Sequence, residues 1–280
     1  MKNYCILVAV IALLASCKGK TQQASDAQGD ANQTEQLAEN ERNIKTSVYT
    51  YKHETEVGSH VITFEMQGDW PTSESVVGDS IREWLHKQIM SRYDTIIDAK
   101  SPSKFAEFTE MYFVENEQKA KEHQQDGGRW IEIAKDFESD SIVTYRFRET
   151  THHMNGEKAA VQYGATFRKR DGHRFSWADV RKKGTAQGRP QTLAELLQKF
   201  MPEYELRPNS DPEGGLILPT AAPYCVDEGL MFLYGWYEIS GQNEEFSAGV
   251  IPYAEIMPFL GKDISETLGF GENETPEPEE

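Results

Sequence analysis

RWIEIAKDFESDSIVTYRFRETTHHMNGEKAAVQYGATFRKR, Arg129 to Arg170, is the stretch that decides the fold. In RWIEIAKDF, SIVTYRFRETT and AAVQYGATFRKR, apolar and polar residues alternate with a period of two, the period of a strand with one buried face. Asn155-Gly156, between the second and third runs, is a hairpin signal because both residues tolerate the positive φ that tight hairpin turns require. Three strands joined by turns predict an antiparallel meander in the middle of the chain.

Upstream, VITFEMQGDWP (Val61 to Pro71) puts Val61 and Thr63 on one side and Ile62, Phe64 and Met66 on the other, a half-buried strand. Pro71 ends it, and Thr72 or Ser73 is expected to cap a helix over Glu74 to Tyr93. There Val77, Ile81, Trp84, Leu85 and Ile89 recur at spacings of three and four. A second helix is expected over Lys104 to Gln124, capped by Ser103 and stopped by Gly127-Gly128, with Phe105, Phe108, Met111 and Tyr112 on one face.

Downstream, HRFSWADVRK predicts a short helix capped by Ser176, and Gly184 to Pro190 a basic loop. Thr192-Leu193-Ala194-Glu195 fits a capping box, in which the hydroxyl and the carboxylate each satisfy an orphan amide, so a helix should cover Leu193 to Met201. Pro202 to Pro223 reads as a long loop. GLMFLYGWYEI and FSAGVIPYAEI read as two strands, the second leading into a final helix that Pro258 shortens. The expected class is α+β: an antiparallel sheet with helices packed on one face, in two sub-domains of strand-helix-strand type.

The N-terminus sets an address. Lys2 precedes nine apolar residues, Ile6 to Leu14, about half of the roughly 20 that a membrane-spanning helix needs. A basic start and a short apolar centre are parts of a secretory signal peptide. Leu14-Ala15-Ser16-Cys17 resembles the bacterial lipobox, which implies cleavage after residue 16 and acylation of Cys17 by chains such as palmitate; stable anchoring takes more than one chain. The expected division is a signal peptide (1–16), a tether (17–45), an N-terminal sub-domain (46–150), a C-terminal sub-domain (151–270) and an acidic tail (271–280). The tether has almost no large apolar side chains and cannot bury enough surface to fold. The expected location is the bacterial outer membrane, with the folded body facing the periplasm or the cell surface.

With Cys5 in the signal and Cys17 lipidated, Cys225 has no intramolecular partner and no disulfide framework is expected. It reads as a small buried apolar residue; a nucleophile or an intermolecular bridge is the alternative. The chain holds 29 Lys and Arg against 46 Asp and Glu, a balance that excludes a general nucleic-acid binder. Eight basic residues nevertheless fall between Arg168 and Arg189, among them Arg168, Lys169, Arg170, Arg181 and Lys182. They read as a solvated hairpin end or as a docking patch for an anionic partner. Tyr234, Trp236 and Tyr237 in LYGWYEIS either close a core or form a stacking platform for a sugar or a protein.

The order FSWADV, capped helix, then DEGLMFLYGWYEISGQNEEFSAGVIPYAEIMPFL resembles the extracellular domain of the anti-sigma factor RsiV, also found beside the catalytic domain of the peptidoglycan deacetylase PdaC. Gly229 to Tyr234, Tyr237-Glu238-Ile239, Gly249 and Ile251-Pro252-Tyr253 carry the resemblance. Members of that family often have a Gly-Gly-Ala-His hairpin where this chain has THHMNG. The resemblance implies an envelope binding or sensing module without the anti-sigma or deacetylase parts; in the anti-sigma branch the ligand is lysozyme. An acidic body favours encounter with such a basic enzyme.

Chemical motifs are sparse. His152 and His153 are neighbours on a strand and point to opposite faces, so one metal cannot take both without a bulge. No hydrolase elbow, P-loop or dinucleotide fingerprint occurs. The expectation is a binding module with no catalytic residue, no metal and no cofactor; the alternatives are a structural or assembly lipoprotein and a cell-wall hydrolase of unfamiliar type.

Overall fold

The computed structural model describes residues 43–90, 105–181, 183–186, 189–202, 218–235 and 247–270, which lie in one compact unit spanning Glu41–Glu280. The signal, the tether before Asn43 and the acidic tail, all named above, lie outside the described residues.

The meander is present and is the larger part of a five-stranded sheet. Its strands are β1 (Thr46–Val57), β2 (His60–Pro71), β3 (Gly127–Glu138), β4 (Ile142–His152) and β5 (Lys158–Arg168), in that spatial order. The sheet is mixed and not purely antiparallel as expected: β2 and β3 run parallel, with Ile62 opposite Gly127 and Met66 opposite Ile131. The cause is the crossover between them, α1 (Val76–Ile89) and α2 (Phe105–His123). A parallel neighbour needs such a long connection, usually helical.

Local chemistry explains the ends. Ser75, not Thr72 or Ser73, caps α1, its hydroxyl accepting from Gly78 N–H. Ser103 lies outside the described residues. Gln124, at φ 51°, closes α2, so that Gly127-Gly128 opens β3 and does not stop the helix. The β4–β5 hairpin turns through His153 to Glu157, with Gly156 at φ 86° and His153 N–H bonded to the Glu157 carbonyl at 2.8 Å.

One face of the sheet is buried under the helices: Ile62, Phe64 and Met66 of β2, Ile131 and Ile133 of β3, and Val143, Tyr145 and Phe147 of β4. They pack with Val77, Ile81, Trp84, Leu85 and Ile89 of α1, the spacing read from the sequence. From α2, Tyr112, Phe113 and Ala120 join them; the side chains of Phe105, Phe108 and Met111 lie outside those described. Ile44, assigned to the tether, is also buried here, and its N–H donates to Glu138 at 2.7 Å.

A second core gathers around a three-stranded antiparallel sheet of β8 (Tyr224–Cys225), β9 (Gly229–Tyr234) and β10 (Ser247–Pro252), in the order β10-β9-β8. Against it pack α3 (Leu193–Phe200), with Leu193, Leu196 and Leu197 buried, and two short helices, α4 (Tyr253–Ile256) and α5 (Lys262–Thr267). The Thr192–Glu195 capping box of α3 is present as read. Three local readings change. The Ser176-capped helix is one 3-10 turn, Trp177–Asp179. The expected basic loop contains a hairpin of β6 (Lys183–Ala186) and β7 (Arg189–Thr192). Beyond Pro258 the chain turns again to form α5, which apolar spacing had not announced. Residue 150, the expected boundary between sub-domains, falls within β4, and β5 completes the first sheet.

Composition did not announce the ion pair at the heart of the first core. Arg129, 1% exposed, donates to Glu149, 2% exposed, at 2.6 Å and to the Ile89 carbonyl at the end of α1 at 2.9 Å. Thr151 donates to the other Glu149 oxygen at 3.1 Å, and the guanidinium carbon stands 6.0 Å from the centre of the Phe64 ring. The pair ties β3, β4 and α1 together. Arg129→Met should lower unfolding free energy by about 3–5 kcal/mol, because it strands a buried carboxylate, whereas Arg129→Met with Glu149→Leu should recover most of the loss. Urea unfolding checks both; a single variant within about 1 kcal/mol of the parent would contradict the assignment.

Candidate functional site

β5 joins the first core by one face and meets the second sheet by the other, and the groove beside it is the candidate site. On the helix face, Ala165 and Phe167 join the first core. On the opposite face, Thr166 bonds Thr144 at 2.8 Å and accepts from Cys225 N–H at 2.7 Å. Gly164 lies under the Tyr224 ring, where a Cβ would come within 2.2 Å of the ring. A glycine within a strand marks such a close approach.

The groove, about 560 Å³, lies between α1, the middle of β5, the 3-10 turn and the chain entering and leaving the second sheet. Trp84 and Gln88 of α1 and Gln162 to Ala165 of β5 form one side; Arg174, Phe175, Ser176, Thr220 to Ala222, Leu233 and Gly235 complete it. Trp84 and Phe175 are buried, and Trp84 meets Phe167 edge to face at 6.0 Å. Tyr163 is 37% exposed, one of the few large hydrophobic side chains open to solvent among the described residues. Trp177 donates to the Thr220 carbonyl at 3.2 Å and so fixes the far wall. The described lining offers three aromatic side chains, of which Tyr163 is exposed, the two amides of Gln88 and Gln162, the hydroxyls of Tyr163, Ser176 and Thr220 and one cation, and no carboxylate.

Of the aromatic trio read from sequence, Tyr234 is fully buried in the second core and cannot meet a partner. Trp236 and Tyr237 lie outside the described residues, as does Cys17.

The basic patch is corrected by its partners. Arg168, 7% exposed, is bidentate to Asp171 at 2.9 and 2.7 Å and also binds Asp263. Lys169 is ion-paired to Glu138 at 2.7 Å. Arg170 is exposed but bonds Asp263 at 3.0 Å. These cations staple β5 to α5 and to the end of β3, and Lys169 and Arg170 line a separate cavity of about 710 Å³ whose walls also carry Glu74 and Asp140. Arg181 is exposed; Lys182 lies outside the described residues.

Two constellations look chemical and are structural. His173 stands 3.1 Å from Asp179, and Ser176 donates to the same carboxylate at 2.9 Å. A nucleophilic triad needs the imidazole between the hydroxyl and the carboxylate. Here the carboxylate is in the middle, and Ser176 and Asp179 form the capping box of the 3-10 turn. Cys225 is fully buried, and burial pushes its thiol up to about 11, away from the thiolate a nucleophile requires. His152 lies 4.8 Å from the Trp130 ring, and among the described residues no group of three His, Cys, Asp or Glu side chains could hold a metal.

Tyr163, Gln88 and Gln162 were missed because they come from separate segments, whereas Arg174 belongs to the basic stretch read from the sequence. The signal available was Gly164 within a strand pattern.

Such an architecture, two cores that meet at β5 beside a groove whose described lining carries no acid, defines an α+β domain of mixed five-stranded and antiparallel three-stranded sheets. The same fold occurs in a DUF3298-family protein of Bacteroides fragilis, 15% identical, with a TM-score of 0.63 over 81% of this chain and 98% of that one. It occurs also in a DUF3298-family protein of Pseudomonas aeruginosa PAO1, 10% identical, with a TM-score of 0.54 over 79% and 96%. No family model matches the sequence, and no curated protein matches it.

The Arg168 staple has a pH signature. Hydrogen bonds and charge from Arg168 hold the Asp171 carboxyl well below its ordinary 3.8, and Arg168 and Arg170 lower Asp263 in the same direction. A depressed carboxylate stabilises the fold above its ordinary value and loses that contribution as pH falls toward the depressed one. Stability should therefore decline below pH 3.8, and Asp171→Asn should flatten part of that decline while lowering stability at neutral pH. Thermal unfolding across pH 2 to 7 reads this; an unchanged acid limb in the variant would contradict it.

Proposed function

We propose that this chain is a lipid-anchored module of the bacterial envelope, attached through Cys17 at the outer membrane, that binds or senses a ligand in the β5 groove and does not catalyse a reaction. The observation that carries the proposal is the groove: an exposed Tyr163 flanked by Gln88, Gln162, Ser176 and Arg174, with no acid in the described lining. An aromatic surface with a few convergent polar groups suits recognition. Acid–base chemistry would call for a titratable pair at the reacting centre, and the described lining provides none.

Two further observations support the address and the ligand class. The lipobox-like LASC and the polar tract after it support a body held away from a bilayer. Among the described residues no helix is long and apolar enough to cross a membrane. The resemblance of the last 90 residues to the RsiV extracellular domain supports lysozyme as one ligand to test and a cell-wall component as the other. A net charge of −17 would speed encounter with a basic protein.

The test combines anchoring and binding. Cys17→Ser should move the chain from the membrane fraction to the soluble fraction. Calorimetric titration of lysozyme, and separately of solubilised peptidoglycan fragments, should show saturable binding by one of them at about 150 mM salt that persists at several-fold higher salt. Tyr163→Ala should weaken that binding about tenfold, the effect of losing ~1.4 kcal/mol. Binding that vanishes with salt, or that ignores Tyr163, would count against the groove.

A further inference from the structure

We propose that the groove takes its ligand as an extended polypeptide segment, added to the edge of β5 as a further strand, with a carboxylate of that segment against Arg174. The inference rests on the groove being a binding site and names what fills it.

β5 is an outer strand of the five-stranded sheet, so one side of its backbone faces away from β4. Its pairing with β4 runs from Ile142–Arg168 to His152–Lys158 without a register shift, so the alternation of inward and outward groups is unbroken. Its phase is fixed by the chain itself. Phe175 N–H donates to the Thr166 carbonyl at 2.9 Å, and Arg168 N–H donates to the His173 carbonyl at 2.9 Å. Thr166 and Arg168 therefore point outward, and by alternation so do Gly164, Gln162 and Ala160. The segment His173 to Phe175 already lies on β5 as a short antiparallel strand and leaves it where Ser176 begins the 3-10 turn. The lane it starts continues into the groove, where Gln162 and Gly164 line the wall. Among the described residues no backbone partner meets those two positions.

Composition distinguishes this edge from the other. Exposed edges invite pairing, and proteins blunt them with charges. β1, the opposite edge, carries Lys52, Glu54 and Glu56. β5 has no charged residue from Ala159 to Thr166, and small residues, Gly164, Ala165, Ala221 and Ala222, line the lane where a second backbone must approach. Strand addition draws affinity from main-chain hydrogen bonds and selectivity from pockets for alternate side chains. Arg174, exposed, is the one cation of the described lining. Lys87, bonded to the Glu83 carboxyl of α1, and then the charge of Arg174 hold that carboxyl below its usual range. Arg174 makes no ion pair within 4.0 Å among the described residues, so it can select for a carboxylate. A glycan would use Tyr163 but would leave the outward N–H and C=O row unmatched.

The test selects linear dodecapeptides displayed on phage against the immobilised full chain. Synthetic copies of the enriched peptides are then titrated into the parent, Ala160→Pro, Gln162→Pro and Arg174→Glu. Proline at either β5 position removes an outward N–H and spares the ladder with β4, and circular dichroism verifies that each variant is folded. N-methylation of alternate peptide residues asks the same question without altering the protein. The expected result is enrichment of acidic peptides, with binding about tenfold weaker on either proline substitution or on N-methylation, from loss of a backbone hydrogen bond with its packing. Arg174→Glu should abolish the preference for acid. Peptides indifferent to N-methylation and to both prolines would overturn the proposal. So would failure to enrich any peptide while peptidoglycan fragments bind in a Tyr163-dependent way, a result that leaves the binding-module reading standing. If lysozyme, wall fragments and peptides all ignore Tyr163, both readings fall.

Discussion

The Tyr224 ring against Gly164 is the contact on which the arrangement of the molecule depends. A side chain at residue 164 would collide with the ring at 2.2 Å, so the second sheet can approach the first only because β5 has a glycine there. Next to it, Thr144, Thr166 and the Cys225 amide form a buried polar chain. These contacts replace water on the two hydroxyls with partners, and a buried polar group without one is costly. β5 is therefore held on both faces, and its position along the groove is set by two cores at once.

The two cores are stabilised by different means. In the first, aromatic and β-branched side chains surround one ion pair, Arg129 with Glu149, which fixes where α1 ends and where β3 and β4 sit beneath it. Its value is geometric, since a well-packed apolar replacement would often be as stable. In the second, stability comes from leucines of α3 packed on a small sheet, and its attachment relies on ion pairs from Arg168 and Arg170 to Asp263. The start of the basic stretch, Arg168 to Arg170, which invites a docking interpretation in the sequence, is thereby paired within the chain. Among the described residues, the edge of β5 and the aromatic surface of Tyr163 beside it are open to a partner.

Much of this fold was legible. The period-two runs from Arg129 to Arg170, the apolar face of α1 and the Thr192–Glu195 capping box all express local rules, and each is found where those rules place it. The α+β class followed from them and is shared with the two DUF3298-family structures. Long-range pairing was not legible. The parallel partnership of β2 and β3 is decided by the path of two intervening helices, and the Arg129–Glu149 pair joins residues 20 apart in sequence that read as ordinary surface charges. The site was mostly hidden for the same reason: Gln88, Tyr163, Arg174 and Thr220 meet only after both sheets form. Tyr234 could be read both ways, because an aromatic next to a turn can face the core or a partner, and here it faces the core.

β5 keeps a regularly alternating edge, open among the described residues, beside a groove whose described lining carries no acid. Amide hydrogen exchange, resolved residue by residue on the full chain by NMR, tests it most directly. Slow exchange is expected at Val161, Tyr163 and Ala165, whose N–H groups face β4, and fast exchange at Ala160, Gln162 and Gly164, whose N–H groups face away from it. Uniform protection along β5, or the opposite alternation, would contradict it.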